Sequence, residues 1–466
     1  MGGGLVLAGL LAAAALAVMT SGICFPLTYL VVMLCLIPIG ILVLAWLALH
    51  RRVPALTTRN LYKIAALWSL PLAVARPLFS LDVWSYLAQG LIAAKGLDPY
   101  VLGPVQALGP DSIVTQHVSP YWVSTPAPYG PIWMALSRAV AEVAGDSIVP
   151  SVVLYRVAAL AGVLLIGWAL PRLALRGGVA PGYALWLGLL NPLVLWHLVS
   201  GVHNDALMLG LMLAGLELAL SNAGRGRVAA GVALLTVAAC VKVVAVAAIC
   251  CVAVDVAHRR GRFLRPFLPV VLGATAGVVA LSAVGGFGWI TALRGSTTVY
   301  SWMSPTTGTG MLIGKIFGAH LTAPAVGALN VIGAMVLVVV GLRLLVSVHR
   351  GRISGLRAVG LIFAVAVMCG PVVQPWYLLW ALLPLAVTAR SERERLVLIG
   401  ISAVVALMTP PIATAAEHLV AGYIVATTVI VGITGAVLLT GRGRAFRLSQ
   451  QRAASTVPSD QGCPSP

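Results

Sequence analysis

Charged residues are scarce in this sequence. Only 9% of its 466 residues are charged, with 12 acidic against 30 basic side chains, whereas 60% are hydrophobic and the mean hydropathy is +1.01. A soluble globule of this size needs more polar surface than such a composition supplies. The composition therefore excludes a soluble protein and indicates one whose solvent is lipid.

Regularly spaced cysteines are also missing. The seven cysteines form no metal-binding or disulfide pattern. Cys240, Cys250 and Cys251 fall inside apolar runs, where a thiol packs as a small hydrophobic group. The sequence therefore indicates neither a cysteine-based metal site nor a disulfide framework.

Long apolar runs dominate what is present. Runs such as 27–49 and 322–348 are long enough to cross a bilayer, which takes roughly 17–25 helical residues. They predict an all-α polytopic membrane protein with about 12–14 transmembrane helices. We expect residues 1–440 to form one transmembrane domain, and the polar segment 441–466 to be a disordered cytoplasmic tail.

Basic residues predict the orientation of the chain. A net charge of +18 could indicate a nucleic-acid partner, but most basic residues lie in short bursts between apolar runs, as cytoplasmic loops require. The distribution therefore argues against a nucleic-acid partner. With the basic bursts in the cytoplasm, two long polar segments, about 81–150 and 286–321, are predicted to be extracytoplasmic loops. Segment 132–143 in the first loop is too short and polar to cross, and is predicted to be a surface helix.

Lys242 lies near the middle of an apolar run, 228–257, that has basic bursts at both ends. Because both ends are then on the same side, the run is predicted to break into two half-helices, with Lys242 at the break. An incidental lysine could snorkel to the interface. An anionic ligand at membrane depth explains it better, and a lipid phosphate is the natural candidate.

Asp82 is the candidate catalytic residue. It opens a predicted short helix, 83–94, at the start of the first long loop. Aspartate there can cap the helix N-terminus. It can also deprotonate a hydroxyl nucleophile at the membrane boundary, and the two roles are compatible.

Two motifs in the same loop are candidate binding elements. Asp98-Pro99-Tyr100 has the composition of a turn, and a structural role is the simpler interpretation. The prolines of segment 125–131, TPAPYGP, exclude regular helix and indicate a rigid aromatic loop. That loop either walls the extracytoplasmic region or stacks on a sugar.

Two further motifs lie later in the chain. His203-Asn204-Asp205 places three hydrogen-bonding side chains at a turn, where helix capping explains part of the pattern and ligand binding the rest. Trp376-Tyr377 indicates an interfacial aromatic belt or the lining of a route for a lipid chain.

Five segments together resemble a known family: RPLFSLDVWSY at 76–86, GLDPY at 96–100, TPAPYGP at 125–131, GVHND at 201–205 and PWYLLW at 375–380. In these segments, and over roughly residues 60–440, the chain is similar to the actinobacterial polyprenyl-phosphomannose-dependent α-1,6-mannosyltransferases of the MptB type. These enzymes belong to the GT-C class of glycosyltransferases.

The resemblance implies a GT-C-like bundle acting in cell-envelope biosynthesis. Its donor would be polyprenyl-phosphate-mannose and its acceptor a mannan of the lipomannan or lipoarabinomannan type, outside the cytoplasmic membrane. Asp82 would be the catalytic residue, and Lys242 would bind the donor phosphate, with Arg76 and Arg294 as further candidates. The residues predicted to contact acceptor or sugar are Tyr86, Asp98, Tyr100, Tyr129, His203, Asn204, Asp205, Trp376 and Tyr377.

These predictions combine into a hypothesis of inverting transfer. Asp82 removes the proton of an acceptor hydroxyl, which attacks the anomeric carbon of a β-mannosyl phospholipid and forms an α-1,6 linkage. No cofactor is required and no metal is indicated, although Asp82, His203 and Asp205 could meet in space. The alternatives are a lipid-linked-sugar transporter or flippase, and a GT-C transferase for another sugar.

Overall fold

A computed structural model describes residues 2–21, 29–78, 80–221, 224–261, 264–296, 301–408 and 428–429. Every regular element in these ranges is helical. The first ten helices are α1 (Gly2–Thr20), α2 (Tyr29–His50), α3 (Thr58–Val74), α4 (Asp82–Ala94), α5 (Pro104–Leu108), α6 (Ile113–His117), α7 (Pro131–Ala144), α8 (Ile148–Gly177), α9 (Pro181–Ala184) and α10 (Asp205–Ala219). The next nine are α11 (Arg225–Val241), α12 (Val246–Arg259), α13 (Leu264–Gly285), α14 (Trp289–Ser296), α15 (Pro305–Phe317), α16 (Thr322–His349), α17 (Gly355–Cys369), α18 (Leu378–Ala386) and α19 (Glu392–Met408).

Local sequence signals begin and end several helices. Thr57, Ser304 and Ser354 each accept a hydrogen bond from a first-turn amide, at the starts of α3, α15 and α17. Helix α8 ends where Gly178 adopts a left-handed conformation with φ of 72°. Helices α4 to α7 occupy the region predicted to be the first long loop, so its short helices are confirmed.

The all-α polytopic membrane class is confirmed. Four described helices are long and apolar enough to cross a bilayer, at Gly3–Thr20, Ile148–Gly177, Leu264–Gly285 and Ala319–His349. Shorter apolar helices, among them Gly355–Cys369, accompany them. The count of about 12–14 helices stays a prediction, and the tail at 441–466 lies outside the described residues.

The apolar run 180–199 has the length of one crossing, and its sequence predicts a single straight helix, but the structure bends it. Its halves, Pro181–Leu189 and Val194–Ser200, meet at 63°. Pro192 has no backbone N–H to continue the ladder. The side chain of Asn191 fills the gap: its amide oxygen accepts a bond of 2.9 Å from the Leu193 N–H, and its amide nitrogen donates to Ser402 at 3.1 Å. The first half turns from α-helix into π-helix at Leu185, and the second half is π-helical throughout.

Helices α8 and α10 pack closely at the centre of the bundle. Small residues allow their backbones to approach, because a Cβ atom at Gly162 would collide with the carbonyl oxygen of Ala206, and one at Gly210 with that of Gly162. The turn that precedes α10 is thereby fixed against α8.

We expect Gly162→Leu to destabilise the fold. The side chain would meet backbone atoms, which cannot turn aside, so the free energy of unfolding should fall by about 3 kcal/mol, the upper part of the usual range for overpacking. The thermal midpoint in detergent and the monodisperse fraction on size exclusion measure the effect.

Gly327→Leu is the matched control, because Gly327 lies in the apolar helix α16 and a Cβ there meets nothing within 4 Å. Equal loss of stability in both variants would contradict close packing of α8 on α10.

Candidate active site

Four segments that are distant in the sequence line one cavity of about 300 Å³. They are the start of α4, the proline-rich loop, the break after α11, and the turn that leads into α18. Each of these segments contributes at least one lining residue: in the same order, Asp82, Tyr129, Lys242 and Trp376. The cavity therefore brings together the predicted base and the predicted phosphate-binding lysine.

Asp82 is the first residue of α4, and Leu81 holds the N-cap position. The expectation that Asp82 is the N-cap is therefore wrong. The Asp82 N–H donates a bond of 3.0 Å to the hydroxyl of Ser80. Its carboxylate is instead turned to the cavity, with 18% of the side chain exposed and Oδ2 lying 3.2 Å from Nδ1 of the buried His203.

The environment of Asp82 favours its carboxylate. Burial is the largest influence and opposes ionisation, but contact with His203, the charge of Lys242 and the Ser80 hydroxyl together hold the pKa of Asp82 below its usual value. Burial and the charge on Asp82 have the opposite effect on Tyr129, whose pKa lies well above its usual value. The cavity thus holds an ionised acid beside a protonated phenol.

The turn before α10 carries His203, Asn204 and Asp205. Val202 adopts a φ of 57°, a strained conformation for a β-branched residue, and this directs the next residues inward. The ring of His203 stacks on Trp376 at a centroid distance of 3.7 Å. The Asn204 N–H donates to the hydroxyl of Tyr86 at 3.3 Å, so α4 is attached to this turn.

Lys242 stands at the predicted break, which is confirmed. Helix α11 ends at Val241, Lys242 is extended with φ of −148°, and a turn at Val243–Ala245 leads into α12. Its Nζ donates to both carboxylate oxygens of Asp205, at 3.0 and 2.9 Å. Trp380 donates its ring N–H to the same carboxylate at 2.6 Å.

The lysine keeps one side open to the cavity. Its side chain is 13% exposed, whereas that of Asp205 is 1% exposed. The ammonium also lies 4.5 Å from the ring centroid of Tyr377 and 5.1 Å from that of Trp380. An anion that enters the cavity can therefore approach a cation that is already held in place.

The proline-rich loop is clamped to the break. Gly130 donates its N–H to the carbonyl of Val241 at 3.2 Å, which satisfies an end group of α11. A Cβ at Gly130 would collide with the carbonyl of Cys240, so only glycine fits this approach. Tyr129 packs edge-on to Tyr86 at 5.4 Å. The loop is thus a wall of the cavity.

Some predicted residues lie elsewhere. Arg76 is exposed and does not line the cavity, so its predicted contact with phosphate has no support. The side chain of Arg294 lies outside what the structure describes. Asp98 accepts a bond of 2.8 Å from the Tyr100 N–H in a turn, and Tyr100 packs on Trp289 in a separate cluster. Both therefore have structural roles that account for them without a sugar.

Sequence reasoning missed other lining residues. Ser85 and Gln89 follow Asp82 on one face of α4 at helical spacing, which was the available signal. Trp122 also lines the cavity, but no motif or spacing in the sequence indicates it. Trp380 was included only in an aromatic belt, yet it contacts the lysine and its partner.

The three residues that could have formed a metal site do not converge. Asp82 meets His203, but Asp205 is directed to Lys242. Within the described ranges, no group of three His, Cys, Asp or Glu side chains is arranged to hold a metal. The expectation that transfer needs no metal stays a prediction.

Comparison with known proteins gives consistent matches. The chain matches the family model described as Alpha-(1->6)-mannopyranosyltransferase, N-terminal domain, over residues 2–258, and the MptB C-terminal domain over residues 304–441. It is 38% identical to a probable alpha-(1->6)-mannopyranosyltransferase of Mycolicibacterium smegmatis, over 79% of this chain and 72% of the relative. It is 39% identical to an alpha-(1->6)-mannopyranosyltransferase of Mycobacterium tuberculosis, over 74% and 68%. No solved structure matches significantly.

Loss of the Asp205 carboxylate should destabilise the protein. Asp205→Asn leaves the Lys242 ammonium without its counter-charge in a largely buried place, which costs about 3–5 kcal/mol. The double variant Asp205→Asn/Lys242→Met removes both charges and should recover most of that loss. Chemical denaturation of the four proteins of this cycle gives the coupling energy.

The exposed pair Arg138–Glu142, with side chains 58% and 51% exposed, is the control. Glu142→Gln should change stability by less than about 1 kcal/mol. A coupling energy near zero for Asp205 and Lys242 would contradict the pairing.

Proposed function

Because this chain belongs to the alpha-(1->6)-mannopyranosyltransferase family, we propose that it transfers mannose from polyprenyl-phosphate-mannose to a mannan-type glycolipid. The family makes it a mannosyltransferase that forms α-1,6 linkages. The observation that carries the rest is a single cavity lined by the carboxylate of Asp82 and the ammonium of Lys242.

The proposed reaction is one displacement at the anomeric carbon. Asp82 accepts the proton of the acceptor 6-hydroxyl, the hydroxyl oxygen bonds to C1, and the bond from C1 to the phosphate oxygen breaks. A β-linked donor thereby gives an α-linked product, and polyprenyl phosphate leaves with the electron pair. Its environment keeps Asp82 ionised, which is the form that can accept a proton, and its carboxylate lines the cavity.

Lys242 would hold the donor phosphate. Its exposed side faces the cavity, while Asp205 and Trp380 fix its position. A preorganised cation stabilises charge that grows on the leaving phosphate without reorganising during the reaction. Since the phosphate already carries negative charge, we propose that no metal ion is needed to assist its departure.

A second cavity suits the polyprenyl chain. It has a volume of about 600 Å³ between α12, α13 and α16 and is lined by apolar residues such as Val246 and Leu342. Val244, in the turn that leads into α12, and Leu337, on α16, line the first cavity, so its walls continue into those of the second. We propose that the lipid chain leaves the site along this path.

The aromatic side chains would hold the sugars. Tyr129, Trp376 and Tyr377 line the cavity and present rings of the kind that pack on the apolar faces of hexoses. Asn204 and His203 lie behind them at the turn, where Tyr86 and Trp376 hold them in position. The acceptor would be a growing lipomannan-type glycan.

The orientation in the membrane follows from the arginines. Arg225 begins α11 and Lys242 follows its end, so helix geometry separates them by about 25 Å. The arginine-rich end belongs in the cytoplasm by the positive-inside bias. We therefore propose that the site faces the extracytoplasmic side of the cytoplasmic membrane.

A flippase or transporter is the alternative, since the structure contains a second broken segment, at Pro181–Ser200, that the sequence did not reveal. Family membership favours transfer over transport. Another lipid-linked sugar in place of mannose remains the second alternative, and competition between lipid-linked sugars decides it.

Asp82→Asn should reduce transfer by about 10²–10⁴-fold, because it removes the base while keeping the size of the side chain. The assay follows radiolabel from polyprenyl-phosphate-mannose to a synthetic α-1,6-dimannoside in membranes. Asp111→Asn, an exposed aspartate of the same loop, should keep full activity. Undiminished transfer by the Asp82 variant would remove Asp82 from the mechanism.

His203→Gln should move the acid limb of kcat/KM to higher pH. The contact with His203 helps to lower the pKa of Asp82, so the acid limb of the native enzyme lies below the usual aspartate value of about 3.9. Loss of the contact should raise the pKa of Asp82 and move the limb with it. His117→Gln, an exposed histidine of the same loop, should leave the limb in place. An unmoved limb in the His203 variant would show that this contact does not tune the base.

A further inference from the structure

A third cavity, of about 920 Å³, lies between α11 and α13 at a distance from the candidate active site. One end is formed by Arg225, Arg260 and Arg265, which come from the start of α11, the end of α12 and the start of α13. The opposite end reaches Leu281, so the cavity runs along about 24 Å of α13.

The three arginines have no acidic partner among the described residues. The ion pairs of the described chain use other basic side chains: Arg138, Arg176, His203, Lys242, Arg259 and Arg357. Arg259, next to Arg260, does have a partner, Asp255, which shows that the local sequence can supply one. Three uncompensated guanidinium groups at one end of a cavity make a site for an anion.

The rest of the cavity is apolar and opens sideways. Val232 and Val270 form its floor, and the exposed residues Ala233 and Gly273 stand at its opening. A Cβ at Gly273 would meet nothing within 4 Å, so this part of the groove is open space. The groove is longer than one leaflet, which is about 15 Å of hydrocarbon.

We propose that this cavity binds an anionic phospholipid. The three arginines hold the phosphate of its headgroup, and one acyl chain lies in the groove between α11 and α13. The arginine-rich end is the predicted cytoplasmic end, so the lipid comes from that leaflet. The phosphate of the mannosyl donor cannot be bound by Lys242 and by these arginines at once, because about 25 Å of α11 separates Arg225 from Lys242.

The charge of the site is tested with Arg225→Gln/Arg260→Gln/Arg265→Gln in the full-length protein. Native mass spectrometry titrates purified protein with phosphatidylglycerol or phosphatidylcholine. Each basic residue near an anionic lipid raises the binding affinity about five-fold. Loss of all three should therefore lower the affinity for phosphatidylglycerol roughly 100-fold and leave the affinity for phosphatidylcholine unchanged. Arg350→Gln/Arg352→Gln/Arg393→Gln is the control, with three exposed arginines that line none of the cavities described above.

The apolar half is tested separately with Gly273→Phe, which fills the groove and leaves the arginines intact. Gly273→Phe should weaken the binding of phosphatidylglycerol. Soluble glycerol phosphate, which has no acyl chain, should not compete with phosphatidylglycerol for the native protein or for the variant. Gly327→Phe on α16, where a Cβ also meets nothing within 4 Å, should bind like the native protein. Thermal midpoints of unliganded variants identify any that fail to fold.

Three results would overturn the proposal. These are unchanged phosphatidylglycerol affinity in the triple variant, equal loss in the control triple, and displacement of phosphatidylglycerol by polyprenyl phosphate with higher affinity. The last result would assign the groove to the donor lipid. Because binding is measured without any transfer assay, these outcomes are independent of the proposed reaction.

Discussion

A lysine inside an apolar bundle needs a counter-charge, and the architecture of the site follows from that need. The ammonium of Lys242 is held by both oxygens of Asp205, and the carboxylate is held in turn by the ring N–H of Trp380. One interaction therefore joins the break after α11, the start of α10 and helix α18. Because an unpaired buried charge is costly, these three elements cannot separate without destabilising the whole bundle.

The same pairing leaves Asp82 available for chemistry. The two carboxylates near the cavity differ in their neighbours: Asp205 is buried against a lysine, whereas Asp82 is partly exposed and contacts a histidine. Asp205 is thus occupied by Lys242 and Trp380, whereas the carboxylate of Asp82 keeps an open side that lines the cavity. The turn at 201–205 carries both His203, which contacts Asp82, and Asp205, which holds Lys242. The strained conformation of Val202 in this turn therefore helps to position both contacts.

The sequence predicted what composition and charge order determine. The break at Lys242 followed from basic bursts at both ends of one apolar run, and the helix at Asp82 from its position after such a run. The partner of Asp205 could not be predicted, because a turn does not reveal which way its side chains point. The bend at Asn191-Pro192 was missed because its apolar flanks have the length of one crossing. The position of Arg76 outside the cavity could not be foreseen, since adjacency to a motif does not place a long side chain in a cavity.

The irregular backbone of the chain also explains why the site is where it is. Unpaired peptide groups are too costly to face lipid, so breaks are tolerated only inside protein or along a cavity. The extended Lys242 and the segment before α18 both line the cavity, and Val202 precedes His203, which contacts Asp82. The break after α11 exposes polar backbone that a regular helix would hide, and Gly130 covers it by donating its N–H to the carbonyl of Val241. In this chain the breaks themselves carry the lining residues, because Lys242 stands at the break after α11 and Trp376 in the turn before α18.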